Sequence, residues 1–176
     1  MSFLNIEIKA RTNNPDKIRK ILQEHDAAFK GLDNQIDTYF NCKNGRLKLR
    51  EGNVENHLIH YNRENKSGAK DSIVTLYRPN PDSSLKDVLI NGLGILVVVE
   101  KAREIYFLNN VKFHIDSVEK LGSFIEIEAI DEAGDIGREK LTEQCGKYVT
   151  LFKIQNNDLI DCSYSDMLME AVKREK

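Results

Sequence analysis

The feature that most constrains this chain of 176 residues is the alternation of charged and aliphatic residues along short segments. In segment 3–11, Ile6 and Ile8 alternate with Glu7 and Lys9, and this period of two is typical of a strand with two different faces. Five further segments repeat the pattern. The other polar positions that share a face within their segments are Arg11, Arg46, Lys48, Arg50, Tyr61, Arg63, Lys101, Arg103, Lys112, His114, Asp116, Glu126 and Glu128.

Turn and cap signals divide the chain into eight predicted strands and four predicted helices. The strands cover 3–11, 31–40, 46–50, 57–64, 72–78, 95–107, 112–118 and 124–130. The helices cover 15–26, 85–90, 134–145 and about 163–174. Because the sequence contains no repeat, linker or low-complexity tract, we predict a single domain over residues 1–176.

The number of strands favours a closed fold, because antiparallel strands lose their exposed edges when they close into a barrel. The aliphatic faces then supply the surface on which the helices pack, and the charged faces point into the lumen. We therefore predict an α+β fold in which an eight-stranded antiparallel β-barrel forms a tunnel with helices on its outside. For any one strand taken alone, a sheet with one solvated face is the simpler explanation.

Composition excludes several classes of protein. Lys and Arg number 26 against 28 Asp and Glu, and this near-neutral balance argues against a nucleic-acid partner. The longest apolar run, 94–99, is far shorter than the ~20 residues that cross a bilayer. The widely spaced Cys42, Cys145 and Cys162 indicate free thiols, and the N-terminus lacks a signal-peptide pattern. We expect a cytoplasmic protein with no membrane partner.

A lumen rich in Arg and Lys needs an anion, because two like charges about 4 Å apart repel by about 4 kcal/mol at an effective dielectric of ~20. Arginine suits phosphate, whose oxygens it binds with two parallel hydrogen bonds. Glu126 and Glu128 lie side by side on one strand face, and Glu7 and Asp116 can approach from other strands. Carboxylates of this kind suit Mg²⁺ or Mn²⁺.

Several motifs in residues 5–130 resemble those of the CYTH superfamily, the triphosphate tunnel metalloenzymes. They are Asn5-Ile6-Glu7-Ile8-Lys9, Gln35-x-Asp37-Thr38-Tyr39-Phe40, Gly45-Arg46-Leu47-Lys48-Leu49-Arg50, Leu58-Ile59-x-Tyr61-x-Arg63, Lys101-x-Arg103 and Ile115-Asp116-x-Val118-x-x-Leu121-Gly122-x-Phe124-Ile125-Glu126-Ile127-Glu128. The similarity is greatest to the class IV adenylyl cyclase-like or thiamine triphosphatase-like branch. Asn5 replaces the first Glu of the family's Glu-x-Glu-x-Lys signature, which brings the number of bound metals into question.

The resemblance implies roles for eleven residues. Those expected to bind phosphate are Lys9, Arg46, Lys48, Arg50, Arg63, Lys101 and Arg103. Those expected to bind Mg²⁺ or Mn²⁺ are Glu7, Asp116, Glu126 and Glu128. Lys9, Glu126 and Glu128 are the expected catalytic residues, and His114 shares their polar face.

The leading hypothesis is a metal-dependent enzyme that cleaves a phosphoanhydride bond of a small triphosphate, such as inorganic triphosphate, ATP or thiamine triphosphate. One alternative is a class IV adenylyl cyclase, which converts ATP to cyclic AMP and pyrophosphate. Hydrolysis is favoured because a cyclase also needs a pocket for adenine and ribose, which the sequence does not reveal. A second alternative is a protein that binds nucleotides or polyphosphate without turnover. The sequence is compatible with a monomer or a homodimer.

Overall fold

The computed structural model describes residues 2–63, 65, 68–80 and 83–174, apart from the side chains of Ser2 and Arg63. Within these residues the strands are β1 (Ser2–Arg11), β2 (Ala28–Phe40), β3 (Arg46–Glu51), β4 (His57–Arg63), β5 (Lys70–Tyr77), β6 (Ile95–Leu108), β7 (Val111–Val118) and β8 (Gly122–Asp131). They close into one antiparallel barrel in the order β1-β5-β4-β3-β2-β6-β7-β8, and β8 pairs again with β1. The predicted eight-stranded barrel is therefore confirmed.

The helices lie outside the barrel. In the described part of the chain they are α1 (Pro15–Glu24), α2 (Leu85–Leu93), α3 (Arg138–Phe152) and α4 (Tyr164–Arg174). None of them is long and apolar enough to span a membrane.

The main apolar core lies between α3 and the outer faces of β1, β7 and β8. Ile6, Phe113 and Ile127 point away from the lumen and are fully buried in one cluster with Leu141 and Tyr148 of α3. The ring centroids of Phe113 and Tyr148 are 4.7 Å apart in an edge-on arrangement. Because burying a large apolar side chain contributes about 1.5–3 kcal/mol, this layer stabilises the barrel with its charged faces turned inward.

The third helix begins and ends later than the sequence suggested. Asp131, at the end of β8, accepts hydrogen bonds from the four backbone N–H groups of residues 134–137, which holds this segment in a loop. The helix then continues to Phe152, because Phe152 and Tyr148 both pack against Phe113. Lys153 ends it in the left-handed conformation, with a φ of 58°.

The helices cover only part of the barrel. On the outer faces of β2 and β6, Leu32, Ile36 and Val98 are 50%, 42% and 39% exposed. The expectation that helices pack on the aliphatic faces therefore holds for β1, β7 and β8 but not for the whole surface.

Antiparallel pairing places alternate connections at opposite ends of the barrel. We call the end that carries the β3–β4 connection, residues 52–56, the loop end. At the other end, which we call the helix end, the chain leading into α4 pairs with β1, and the Ile160 amide donates to the Lys9 carbonyl at 2.9 Å. Tyr164, the first residue of α4, packs its ring 4.9 Å from that of Phe124. Both ends thus contribute a side chain to the lumen, Glu55 at the loop end and Tyr164 at the helix end.

Candidate active site

The barrel encloses a cavity of about 290 Å³ whose wall includes inward-facing side chains of all eight strands. On β1 these are the alternate residues Asn5, Glu7 and Lys9, as the period of two predicts. The size is close to that of small-molecule sites, which begin at about 300 Å³. Because most of the wall's ionisable groups are shielded from water, their interactions with one another are strong.

One part of the wall, which we call the Asp37 cluster, gathers Lys48, Arg50 and Lys101 from β3 and β6 around Asp37 of β2. The carboxylate accepts hydrogen bonds from Lys48 Nζ at 2.8 Å, Arg50 Nε at 2.9 Å and Lys101 Nζ at 2.7 Å. Burial alone would raise the pKa of Asp37, but Arg50, Lys101 and Lys48 hold it well below its usual range. One buried carboxylate therefore neutralises part of the charge of three cations.

The excess of positive charge in this cluster affects Lys101 most. Burial lowers the pKa of Lys101 to about 7, and the positive charges of Arg50, Arg103 and Lys48 contribute to the shift, whereas Asp37 opposes it. At neutral pH, Lys101 is thus poised to gain a proton when further negative charge enters the lumen.

A second carboxylate, Glu55, reaches the cavity from the β3–β4 connection at the loop end. Glu55 Oε2 accepts from Arg50 NH1 at 2.9 Å, and Glu55 Oε1 accepts from Lys112 Nζ at 2.5 Å. Burial would raise the pKa of Glu55, but Lys112 and Arg50 hold it far below its usual range. Glu55 is therefore ionised at neutral pH.

Strands β7 and β8 carry a second group of ionisable residues. We call this group, which consists of His114, Glu126 and Glu128, the Glu126 cluster. One donor atom from each residue lies within 4.8 Å of the others, a spacing that can hold one metal ion. His114 Nδ1 is 3.1 Å from Glu126 Oε2 and 3.7 Å from Glu128 Oε1. Glu7 pairs with Glu128 across the β1–β8 register and lines the same cavity.

Burial shifts the pKa values of Glu128 and His114 in this cluster. Burial raises the pKa of Glu128 to about 7, and the negative charges of Glu126 and Glu7 add to the shift, although Lys112 opposes it. Burial also lowers the pKa of His114 to about 3, with the positive charges of Arg103 and Lys112 acting in the same direction. The imidazole is consequently neutral, which is the form that binds metals.

Lys9 and Arg103 connect the Glu126 cluster to the remaining wall. Lys9 Nζ lies 3.1 Å from Glu126 Oε1 and 4.0 Å from the centroid of the Tyr164 ring. Arg103 NH2 donates to Glu126 Oε2 at 2.9 Å. Both cations therefore sit beside the carboxylates and contribute to the cavity wall.

Asp116 lies behind Arg103 and is fully buried. Its two oxygens accept from Arg103 Nε and NH2 at 2.7 and 2.6 Å, and Tyr164 OH donates to Oδ2 at 2.7 Å. In this arrangement Asp116 fixes the orientation of the Arg103 guanidinium.

Two buried polar atoms of the wall have no hydrogen-bond partner among the described residues. They are Asn5 Oδ1, at the first position of the signature, and His114 Nε2. An unpaired buried acceptor is costly by about 1–3 kcal/mol, so such atoms are expected where a ligand completes the site.

Most of the residues expected to bind phosphate line the cavity, namely Lys9, Lys48, Arg50, Lys101 and Arg103. Arg46 instead faces the helix end, where its NH2 donates to Asp166 of α4 at 2.8 Å. Arg63 ends β4, and its side chain lies outside the described part of the chain. Of the expected metal ligands, Glu7, Glu126 and Glu128 line the cavity, whereas Asp116 occupies the position described above.

Among the other charged or aromatic residues of the wall, Asp37, Glu55, Lys112 and Tyr164 had been given no role in the site. Asp37 and Lys112 share their inward face with predicted residues, so the period of two contained the signal for them. Glu55 lies in a loop and Tyr164 begins a helix, and neither position belongs to a strand pattern. Only the folded chain brings these two residues to the lumen.

A closed barrel with a wall of cations and a compact acidic cluster is the arrangement that the motifs led us to expect, and the CYTH domain profile matches residues 4–157. The chain belongs to the CYTH family. No curated protein matches it.

Several solved structures share the fold of this chain. The PH1012 protein of Pyrococcus horikoshii OT3 is 25% identical, with a TM-score of 0.71 over 92% of this chain and 98% of that protein. A candidate adenylate cyclase from Vibrio parahaemolyticus is 18% identical, with a TM-score of 0.71 over 94% of this chain and 98% of that one. A candidate adenylyl cyclase from Hippeastrum with a dominant triphosphatase activity is 11% identical, with a TM-score of 0.65 over 96% of each chain.

Proposed function

We propose that this CYTH protein is a metal-dependent enzyme that hydrolyses a phosphoanhydride bond of a triphosphate inside its barrel. The observation that carries the proposal is that the Asp37 cluster and the Glu126 cluster line one cavity of about 290 Å³. A polyphosphate matches this combination, because its oxygens accept from cations while some of them remain free to share a metal with carboxylates. The family membership and the Hippeastrum triphosphatase support the same reaction.

The cations bind and orient the phosphate chain. Arg50 offers a planar fork of donors and Lys48 and Lys101 offer point charges, all within one buried cluster. Arg103 is held by Asp116, so its position is set before the ligand enters. We assign the phosphate-binding role to these four residues and to Lys9.

The Glu126 cluster fits Mg²⁺ or Mn²⁺ by the chemistry of its donors. Glu7, Glu126 and Glu128 offer hard carboxylate oxygens, and Asn5 Oδ1 is a buried oxygen that lacks a partner among the described residues. When bound, such an ion polarises a phosphate oxygen and favours ionisation of a coordinated water. We assign metal binding to the three glutamates, with Asp116 acting through Arg103.

Lys9 and Arg103 supply positive charge where the anhydride bond breaks. Lys9 is confined between Glu126 and the Tyr164 ring, so its ammonium group cannot move away from the carboxylates. Fixed cations of this kind stabilise negative charge that develops on the phosphates. Lys9, Glu126 and Glu128 are accordingly the residues that we propose as catalytic.

A second candidate function, cyclisation of ATP, is favoured by the apolar part of the cavity wall. Tyr39, Tyr61, Ile59, Val74 and Leu76 line the same cavity as the charged clusters. A surface of this kind can hold a nucleobase or another organic group, which the sequence alone did not reveal. In a cyclase the ribose 3′-hydroxyl would attack the α-phosphate, and pyrophosphate would leave.

Product analysis separates these possibilities. The purified protein is incubated with tripolyphosphate, ATP or thiamine triphosphate, each with Mg²⁺ or Mn²⁺, and the products are resolved by ion-exchange chromatography. We expect release of orthophosphate, with no activity after addition of EDTA. The variant Glu119→Gln, in the β7–β8 turn, should keep this activity. It removes one negative charge, as Glu126→Gln does, and therefore serves as the control for that variant.

Other product patterns would replace the proposal. Cyclic AMP with pyrophosphate from ATP would identify a cyclase. Tight binding of tripolyphosphate without any product would identify a binding protein, as in the second alternative. In each case the lumen receives a small polyanion rather than a nucleic acid or a membrane. We further propose that the protein works in the reducing cytoplasm, where its three cysteines remain free.

A further inference from the structure

We propose that Glu55 sets a threshold of affinity for anions in the lumen, because its carboxylate holds the position between Arg50 and Lys112 that suits one phosphate group of a ligand. Only an anion long enough to reach further cations displaces it favourably. The inference rests on the proposed function in one respect, which is that the lumen binds triphosphate.

The first observation is the way in which Glu55 binds its cations. Its two oxygens bridge two cations, Arg50 NH1 at 2.9 Å and Lys112 Nζ at 2.5 Å, and Oε2 also accepts a longer hydrogen bond from Gln35 Nε2 at 3.4 Å. A phosphate group binds Arg and Lys in the same way, with separate oxygens on each cation. An incoming phosphate therefore competes with Glu55 for the same donors.

The second observation is that the loop carrying Glu55 is anchored to the barrel. Asp33, which is fully buried on β2, accepts from the backbone N–H groups of Val54 at 2.9 Å and Glu55 at 3.0 Å. A Cβ added to Gly52 would lie only 2.4 Å from Asp33 Oδ1, so the loop approaches Asp33 as closely as glycine permits.

Asn53 adds a further anchor to the same loop. Its side chain donates to the Leu32 carbonyl at 2.9 Å and accepts from the Asn34 amide at 2.6 Å. With its backbone held at several points, the loop presents one carboxylate to the lumen at a defined position.

The third observation is that further cations lie beside Arg50, where a longer anion can contact them. A single phosphate that displaces Glu55 gains two contacts and breaks two, so its net gain is small. A triphosphate also reaches Lys48 and Lys101, which belong to the Asp37 cluster beside Arg50. Displacement of Glu55 costs every such anion the same free energy, so only an anion that makes these additional contacts binds tightly.

Once a phosphate displaces it, the Glu55 carboxylate can move into solvent. Glu55 lies at the loop end, and its side chain is already 16% exposed. Rotation about its side-chain bonds carries the charge into solvent without moving the anchored backbone.

The test measures binding by isothermal titration calorimetry, with the full chain in Mg²⁺. The ligands are orthophosphate and the non-hydrolysable methylene-bridged analogues of diphosphate and triphosphate. For Glu55→Gln we expect the affinity for orthophosphate and the diphosphate analogue to rise by about tenfold or more. The affinity for the triphosphate analogue is expected to rise by a similar factor, because each ligand no longer has to displace the Glu55 carboxylate.

Two matched variants separate this effect from a general change of charge. Glu51→Gln neutralises the neighbouring residue, which pairs with Lys86 on the outer surface at 2.6 Å, and should leave all affinities unchanged. Asn53→Ala keeps the net charge but removes two anchors of the loop, and should raise the affinities in the same direction as Glu55→Gln. Thermal melting verifies that each variant is folded.

The inference is overturned if Glu55→Gln weakens all three ligands, which would make Glu55 a structural partner of Arg50 and Lys112. It is also overturned if Glu55→Gln and Glu51→Gln raise all affinities equally. If the wild-type protein fails to bind the triphosphate analogue, the proposed function itself fails, and this result is distinct from both.

Discussion

The Asp37 cluster and the Glu126 cluster lie in the same lumen, yet they neutralise buried charge in different ways. In the first, one carboxylate serves three cations, and its pKa is held well below the usual range. In the second, the pKa of Glu128 is raised to about 7 by burial and by its carboxylate neighbours, and His114 Nε2 lacks a partner among the described residues. The first cluster supplies its own counter-ion, whereas in the second Lys9 and Arg103 pair with Glu126 and the pKa of Glu128 stays raised.

This difference assigns separate tasks to the two parts of the wall. A buried ion network that is paired internally breaks at a large cost when one partner is removed. A carboxylate cluster that is not fully ionised gains stability when a cation enters. We therefore expect variants of the Asp37 cluster to affect folding and ligand affinity first, and variants of the Glu126 cluster to affect turnover first.

The largest effect should come from Glu126→Gln. Glu126 contacts Lys9, Arg103 and His114, so removal of its charge disturbs the centre of the acidic cluster. We expect the turnover number for tripolyphosphate to fall by about 10³-fold or more. Steady-state phosphate release measures it, and full activity of the variant would exclude Glu126 from the catalytic site.

Asp37→Asn should cause the next largest change, in stability rather than in chemistry. The variant leaves three buried cations without their carboxylate, and we expect a loss of about 3–5 kcal/mol in the free energy of unfolding. Urea denaturation monitored by circular dichroism measures the loss.

Two variants provide the comparison for Asp37→Asn. Asp71→Asn breaks an ion pair with the exposed Arg138 and should leave the free energy of unfolding almost unchanged. Glu128→Gln, in metal-free buffer at pH 8, should be neutral or stabilising, because it removes a buried carboxylate crowded by others. If Glu128→Gln were as destabilising as Asp37→Asn, the distinction between the clusters would be lost.

Asn5→Asp tests whether one more carboxylate beside the Glu126 cluster strengthens metal binding. The substitution keeps the shape of the side chain and replaces the amide, whose buried oxygen lacks a partner among the described residues, by a carboxyl group. We expect the affinity for Mn²⁺ to increase by about tenfold, since each added carboxylate contributes roughly 1–2 kcal/mol to binding. Calorimetric titration of Mn²⁺ measures this, and Asn62→Asp on β4, an exposed position, provides the control. An unchanged affinity would show that Asn5 does not contact the metal.

The smallest expected effect is the uptake of a proton by Lys101 when triphosphate binds. Because its pKa is lowered to about 7, Lys101 is largely neutral at pH 8 and protonated at pH 6. A bound triphosphate raises this pKa by its negative charge, so binding should take up as much as about one proton at pH 8 and almost none at pH 6. Calorimetry in buffers of different ionisation enthalpy measures the uptake. The difference between wild type and Lys101→Met isolates the contribution of Lys101, and equal uptake would contradict the assignment.

The sequence was sufficient for the fold and for much of the wall. Alternation on β1 assigned Glu7 and Lys9 to the inner face and Ile6 and Ile8 to the outer face, and all four side chains lie as predicted. The same pattern brought His114 into consideration as a wall residue. These predictions succeed because the direction of a side chain on a strand depends on local backbone geometry.

The contacts between charges could not be predicted in the same way. Asp116 was expected among the metal ligands, but its oxygens accept from Arg103 and Tyr164, and the latter comes from a helix 48 residues along the chain. Asp37 shares its face with cations from β3 and β6, yet nothing in its own strand predicts that one carboxylate serves three of them. Such pairings depend on the register between strands and on the closure of the barrel.

The amino-acid sequence by itself thus determined the number of strands, the residues that face inward and the family to which the chain is similar. The tertiary structure decided which inward charges meet, and it added Glu55 from a loop and Tyr164 from a helix. The physical reason is the range of the forces involved. Alternation and turn formation act between neighbouring residues, whereas the ionisation of a buried group depends on every charge that the closed barrel brings within a few ångströms of it.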